Sequence, residues 1–223
     1  MTLERQLILD FEHRAAMGGD DFLVAPCNRK AVAWIDRWPE WSPPMLVVHG
    51  PAGCGKTHLA EVFRAKALAK LVEPEVLSGE KFPEIAAGEG WLIDDAEAVI
   101  SCQTEEPILH LYNAVKEASG TLLLTGYSPP SRWTVKLPDL RSRLNSASSV
   151  SIGAPDDSVI NAVLVKMFAD RQVAVDPDVI DFAILRMERT FSAARNLVAR
   201  ADALALAERR RITVPLIRRI LSE

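Results

Sequence analysis

Residues 50–57 read GPAGCGKT, and Gly50, Gly55, Lys56 and Thr57 satisfy the pattern G-x-x-x-x-G-K-[ST] in full. Each residue type has a task. A loop that turns its backbone N–H groups around a phosphate needs glycine where the chain comes close to the ligand. Pro51, Ala52, Gly53 and Cys54 complete that loop, and His58 follows it. A helix starting at the loop adds its positive end. Lys56 is the side chain that reaches the β- and γ-phosphates, and Thr57 offers a hydroxyl to Mg²⁺.

Three later stretches could share this chemistry. In WLIDD (91–95), Asp94 ends an apolar run and can present a carboxylate to Mg²⁺, while Asp95 stands where many ATPases carry a glutamate that positions water. Paired acids after a strand are also common turn residues. In LLLTG (122–126), Thr125 either touches the γ-phosphate or the attacking water, or simply caps a strand. In LPDLRSRL (137–144), Arg141 and Arg143 are either solvated or offered to a neighbour's nucleotide. A fourth stretch, RQLILDF (5–11), raises a different question, because Gln6, Leu7, Leu9 and Phe11 precede a polar, glycine-containing linker. It is either a strand packed on its own domain or a peptide for another protein's pocket.

The elements that must position these residues follow from hydrophobic periodicity. NRKAVAWIDRW (28–38) predicts a helix capped by Asn28. MLVVH (45–49) predicts a buried strand, KTHLAEVFRAKALAKL (56–71) a helix, EVL (75–77) a weak strand and GEKFPEIAAG (79–88) a helical turn broken by Pro83. WLIDD, TLLLTG (121–126) and SSVSI (148–152) predict further strands, with a helix over 106–119. Short apolar strands alternating with amphipathic helices predict an α/β base with a parallel sheet covered on both faces. After residue 153 the pattern becomes helical, with helices starting near Asp156, Pro177, Arg189 and Thr213. The expected organisation is a peptide and linker over 1–18, an α/β nucleotide-binding base over 19–153 and a small helical lid over 154–223.

Composition narrows the function. The 223 residues carry a formal net charge of −4, which argues against a chain whose main work is gripping a nucleic-acid backbone. Nine arginines between Arg186 and Arg219 are a local exception, read either as a solvated helical face or as a surface for an anionic ligand or acidic partner. Cys27, Cys54 and Cys102 have neither metal-ligand nor redox spacing, as expected in a reducing compartment. No stretch approaches the ~18 apolar residues of a membrane span, and the acidic Glu4 argues against a secretory signal, so a cytoplasmic protein is expected.

The motifs in this order resemble the AAA+ ATPases, and within them the DnaA-like branch, through GPAGCGKTHL, WLIDDAE, LLLTGYSPPSRW, LPDLRSRL and the lid up to RRRITVPLIRRIL. The initiators of that branch add a long N-terminal region and a helix-turn-helix DNA-binding domain. This chain is instead similar to the shorter Hda-type members, so no direct sequence-specific DNA binding is expected. The resemblance implies an AAA+ base with a five-stranded parallel sheet and ADP or ATP with Mg²⁺ as cofactors. It implies two partners, the DNA polymerase sliding clamp and DnaA, and it is compatible with a homodimer. By the same resemblance, Gln6, Leu7, Leu9 and Phe11 fit a clamp-binding peptide, Arg143 is the arginine finger acting in trans on DnaA-bound ATP, and Arg189 is the lid arginine that senses phosphate, with Arg195 a second candidate. Tyr127 stands where the initiators have aspartate, and Leu144 where an aromatic is usual, which implies weak self-catalysed hydrolysis and an altered aim of the finger. Two other functions fit parts of the pattern. A helicase loader or transposition helper of the same superfamily is favoured by the arginine-rich lid, and a P-loop kinase is disfavoured by the late LRSR element and separate lid.

Overall fold

The computed structural model describes residues 13–14, 22–42, 44–79, 82–101 and 105–222. The chain forms two compact units, one over residues 26–154 and the other over residues 155–222 together with residues 23–25. Among the described residues, no helix is long and apolar enough to cross a membrane.

Strands β1 (His13–Arg14) and β2 (Phe22–Leu23) pair in a small sheet of their own. The base then runs through α1 (Arg29–Asp36), β3 (Met45–His49), α2 (Lys56–Ala67), β4 (Lys70–Leu71), α3 (Pro74–Leu77), β5 (Gly90–Ile93), α4 (Ala96–Ser101), α5 (Glu105–Glu117) and β6 (Thr121–Gly126). A single 3₁₀ turn at Pro130–Arg132, α6 (Pro138–Ser146) and β7 (Ser148–Ser151) complete it. Five strands form one parallel sheet in the order β4-β5-β6-β3-β7.

Alternation within the apolar strands divides the core in two. Met45, Val47, Trp91, Ile93, Leu122 and Leu124 join one cluster with Leu111, Tyr112 and Val115 of α5 and Leu140 and Leu144 of α6. Their neighbours Leu46, Val48, Leu92 and Leu123 are also fully buried, on the face where α2 packs against β5 and β6. There Phe63 of α2 is buried and stacks on Trp41 with ring centroids 5.1 Å apart. The register sets Val48 beside Thr125 and His49 beside Gly126. The carboxyl ends of the central strands are therefore level, where open parallel sheets place their ligands.

The lid contains α7 (Asp157–Asp170), α8 (Pro177–Ile184), α9 (Phe191–Glu208) and α10 (Val214–Ser222). Asp156 caps α7 by accepting the Val159 N–H, and Thr190 caps α9 by accepting the Ala193 N–H.

Several local expectations are corrected. Asn28 occupies the cap position of α1, but its side chain makes no capping hydrogen bond. The helix expected over 56–71 stops at Ala67. Leu68 adopts a left-handed conformation, φ 48°, and the Leu68 and Ala69 N–H groups both return to the Arg64 carbonyl, which closes the helix. The edge strand is therefore Lys70–Leu71, and residues 75–77, expected as a strand, lie in the short helix α3. The helical turn expected within 79–88 does not form over residues 82–86. Gln6, Leu7, Leu9 and Phe11 lie outside the described residues.

Candidate functional site

The loop between β3 and α2 is built by its glycines. Gly53 and Gly55 have φ of 70° and 99°, a region glycine enters without the cost of a Cβ. Gly50 is required for another reason: a Cβ there would collide with the carbonyl oxygen of Ile152, which follows β7. Cys54 is buried under the same loop, and burial raises its thiol pKa while Lys56 opposes the rise, so it is an uncharged packing group.

Lys56, the first residue of α2, donates from Nζ to the Gly50 and Pro51 carbonyl oxygens at 2.8 and 2.9 Å. Thr57, next to it, donates from Oγ1 to Asp94 Oδ2 at 3.0 Å. Thr125 is 1% exposed, donates to Asp94 Oδ1 at 2.5 Å and accepts the Asp95 N–H at 2.8 Å. Asp94 thus receives one hydroxyl on each carboxylate oxygen, from two residues on two different elements, α2 and β6. Asp95 has φ 52°, which turns the chain sharply out of β5, and its carbonyl takes the Ala98 and Val99 N–H groups at the start of α4. Aspartate tolerates this left-handed region better than most residues.

The structure therefore brings Lys56, Thr57, Asp94, Asp95 and Thr125 together at one end of the sheet. Oxygen donors on Thr57 and Asp94 at contact distance suit a hard divalent cation that is shared with phosphate oxygens. His49, at the end of β3, is held below its ordinary pKa of 6.5 by burial; Arg132 and Lys56 lower it further and Glu97 opposes them. It enters the site as a neutral side chain near neutral pH.

Arg141 and Arg143 separate clearly. Arg141 donates from Nε to the Val135 carbonyl at 3.0 Å and also from Nη2 to the same oxygen. Arg143 is exposed on α6, with its guanidinium carbon 5.8 Å from the centroid of the Tyr112 ring. Among the described residues its guanidinium has no hydrogen-bond or ion-pair partner, while its carbonyl accepts the Ser146 hydroxyl at 2.9 Å. In the lid, Arg189 precedes α9 and pairs through Nε and Nη2 with Asp157. Both side chains are more than half exposed, so the pair contributes little to stability. Arg195 lies inside α9.

Two residues without a role in the motif reading take part in this geometry. Glu97 of α4 accepts the Tyr127 and Ser128 N–H groups and the Ser128 hydroxyl, each at 2.7 Å. Glu105 of α5 accepts the Lys136 N–H at 2.9 Å and the Leu137 N–H at 2.6 Å. Their partners lie about thirty residues away in sequence, so no short motif announces them.

Residues 156–221 match the family described as "Hda, lid domain". Over 227 residues the chain is 24% identical to the chromosomal replication initiator protein DnaA of Cutibacterium acnes, covering 92% of this chain and 45% of that protein. The chain thus spans about half the length of this curated relative. Domain III of the Thermotoga maritima replication initiation protein DnaA has the same fold, with TM-score 0.75, 15% identity and coverage of 88% of this chain and 91% of that one. AMPPCP-bound DnaA from Aquifex aeolicus superposes with TM-score 0.66 and 16% identity, covering 84% of this chain and 67% of that one.

Proposed function

This chain is a DnaA-related AAA+ protein with an Hda-type lid, and we propose that it is a nucleotide-bound regulator acting on DnaA during replication initiation. It binds ADP or ATP with Mg²⁺ through residues 50–57 and Asp94. Gln6, Leu7, Leu9 and Phe11 dock it on the DNA polymerase sliding clamp. Arg143 is presented in trans to ATP held by DnaA and stimulates its hydrolysis. Arg189 is the lid arginine that senses phosphate in this reading, and Asp95 and Thr125 flank the nucleotide's terminal phosphate.

Support for the nucleotide comes from the complete phosphate loop beside the Thr57–Asp94 pair, and from the adenine nucleotide analogue carried by the Aquifex aeolicus protein. When bound, a Mg-nucleotide supplies a polarised phosphate chain, and this chain's residues bind and orient it. The observation that carries the regulatory reading is the state of Arg143. It is exposed on the outside of the base and uncommitted among the described residues, whereas its neighbour two positions earlier is bonded to its own chain. A cation offered to a γ-phosphate as its bond breaks is worth roughly 10³–10⁵ in rate. A guanidinium with no hydrogen bond or ion pair among the described residues is free to be offered in this way.

The test is a reconstitution with the clamp loaded on DNA, DnaA-ATP and this protein, following the nucleotide on DnaA. Conversion to DnaA-ADP is expected, suppressed by excess peptide 1–14. Binding to the clamp without any conversion overturns the reading.

A further inference from the structure

We propose that Glu97 and Glu105 are positioning residues that tie the helix carrying Arg143 to the acid cluster of the nucleotide site, so that occupancy of that site is felt at Arg143. This inference rests on the nucleotide role proposed for Lys56, Thr57 and Asp94. Between Thr125 and α6 the chain runs through a loop, one 3₁₀ turn and the extended residues 134–137. Such a segment has no internal hydrogen-bond ladder, so its geometry must come from what grips it.

Two carboxylates grip it, one at each end. Glu97 takes three donors from Tyr127 and Ser128, immediately after β6. Glu105 takes the Lys136 and Leu137 N–H groups, immediately before α6. Ordinary carboxylates on a surface make bonds of this kind to water. Here ionised acceptors fix backbone donors, the stronger class of hydrogen bond. Those bonds also hold the Glu105 carboxyl below its usual pKa, led by the one from Lys136. Between the grips, Trp133 and Val135 are buried, and the Trp133 indole N–H donates to the Ser128 carbonyl at 2.8 Å. Arg141 bonds back to Val135, and Arg143 lies over Tyr112 of α5, the helix that Glu105 begins.

The near end of this strut belongs to the acid cluster. Glu97 follows Asp95 by two residues, and the Asp95 N–H donates to Thr125, the residue just ahead of the gripped loop. A shift of Asp94 or Asp95 therefore moves both Glu97 and Thr125, and through residues 127–137 it reaches α6. A carboxylate that only stabilised a loop would alter melting but not the response of α6 to nucleotide.

The experiment is amide hydrogen exchange by mass spectrometry on the full chain, with and without ADP and Mg²⁺, with binding measured in parallel by calorimetry. In the wild type, nucleotide should slow exchange over 122–128 and also over 138–146. Glu105→Ala should bind ADP within about twofold of wild type and keep the first protection, while the second falls by about tenfold or more, the scale of one lost charge-assisted bond. Glu105→Gln retains an acceptor oxygen and should lie between the two, which also serves if the alanine variant does not fold. The inference is overturned if ADP binds the wild type without protecting 138–146, or if both Glu105 variants keep that protection in full. No heat of ADP binding to the wild type overturns the nucleotide reading itself, and this inference with it.

Discussion

Thr125→Val removes one hydroxyl and keeps a branched side chain of nearly the same volume, so it isolates the hydrogen bonds that join β6 to the acid pair. Two bonds are lost: the donor bond to Asp94 Oδ1 at 2.5 Å and the acceptor bond from the Asp95 N–H at 2.8 Å. A bond to a charged group contributes about 1.5–3 kcal/mol, and a buried donor left without an acceptor costs about 1–3 kcal/mol. Thr125 itself is 1% exposed, so water does not replace its hydroxyl. Asp94 is partly buried and Asp95 exposed, so water can reach both partners, which places the total near the low end of the combined range. We expect a loss of about 2–3 kcal/mol in urea unfolding followed by circular dichroism without nucleotide, and a fall in Tm of roughly 5–10 °C. Because methyl gain and loop relaxation also enter, the decisive number is a double-mutant cycle with Asp94→Asn. It should give a coupling of about 1–2 kcal/mol, since the two residues touch. A coupling below about 0.5 kcal/mol would refute the claim that Asp94 and Thr125 act as one unit.

Three further outcomes follow from the same geometry. Lys56→Ala should abolish ADP binding in calorimetry while the nucleotide-free melting temperature stays nearly constant, because among the described residues the Lys56 ammonium bonds only to loop carbonyls. Arg143→Ala should keep nucleotide and clamp binding yet lose stimulated hydrolysis of DnaA-ATP by at least a hundredfold, on the order of a displaced arginine finger; Arg141→Ala should instead lower the melting temperature through the Val135 contact and reduce stimulation less. Stability should fall in two stages as pH drops. His49 has a folded pKa below 6.5, so the unfolded chain takes up protons first and stability declines from about pH 6.5 downward; His49→Gln should flatten that limb. Glu105 and Glu89 have folded pKa values below 4.5, so their stabilisation is complete above that pH and disappears as pH falls through the folded values; Glu105→Gln should flatten the second limb in urea titrations.

Legibility in the sequence followed the range over which each constraint acts. The phosphate loop and the central strands can be read because their requirements fall on consecutive residues: glycines at the turns, then apolar residues buried on both faces. The stretch from Leu68 to Leu77 differs from its expected helix and strand because its punctuation is not compositional. Leu68 takes the left-handed position usually given to glycine, at φ 48° and 85% exposed, and nothing in KALAKL marks the stop. The edge strand that follows has two residues, both exposed, so it carries no apolar signature. Glu97 and Glu105 were invisible for the opposite reason. An acid in the first turn of a helix is expected on dipole grounds alone, and here each also serves a loop thirty residues away.

Arg141 and Arg143 show where the boundary lies. They are the same residue type two positions apart on α6, and composition cannot separate them. Helix geometry can, because residues two apart point about 200° from each other around the axis. Whichever of them faces the chain leading into α6 finds a carbonyl, and Arg141 finds that of Val135. The other is turned toward Tyr112 and solvent, with no acceptor for its guanidinium among the described residues. The two-residue spacing therefore puts the arginines in different surroundings, and the one beside residues 133–137 is Arg141. Those residues are held in part by Glu105, which accepts the Lys136 and Leu137 N–H groups and whose sequence position gives no hint of it.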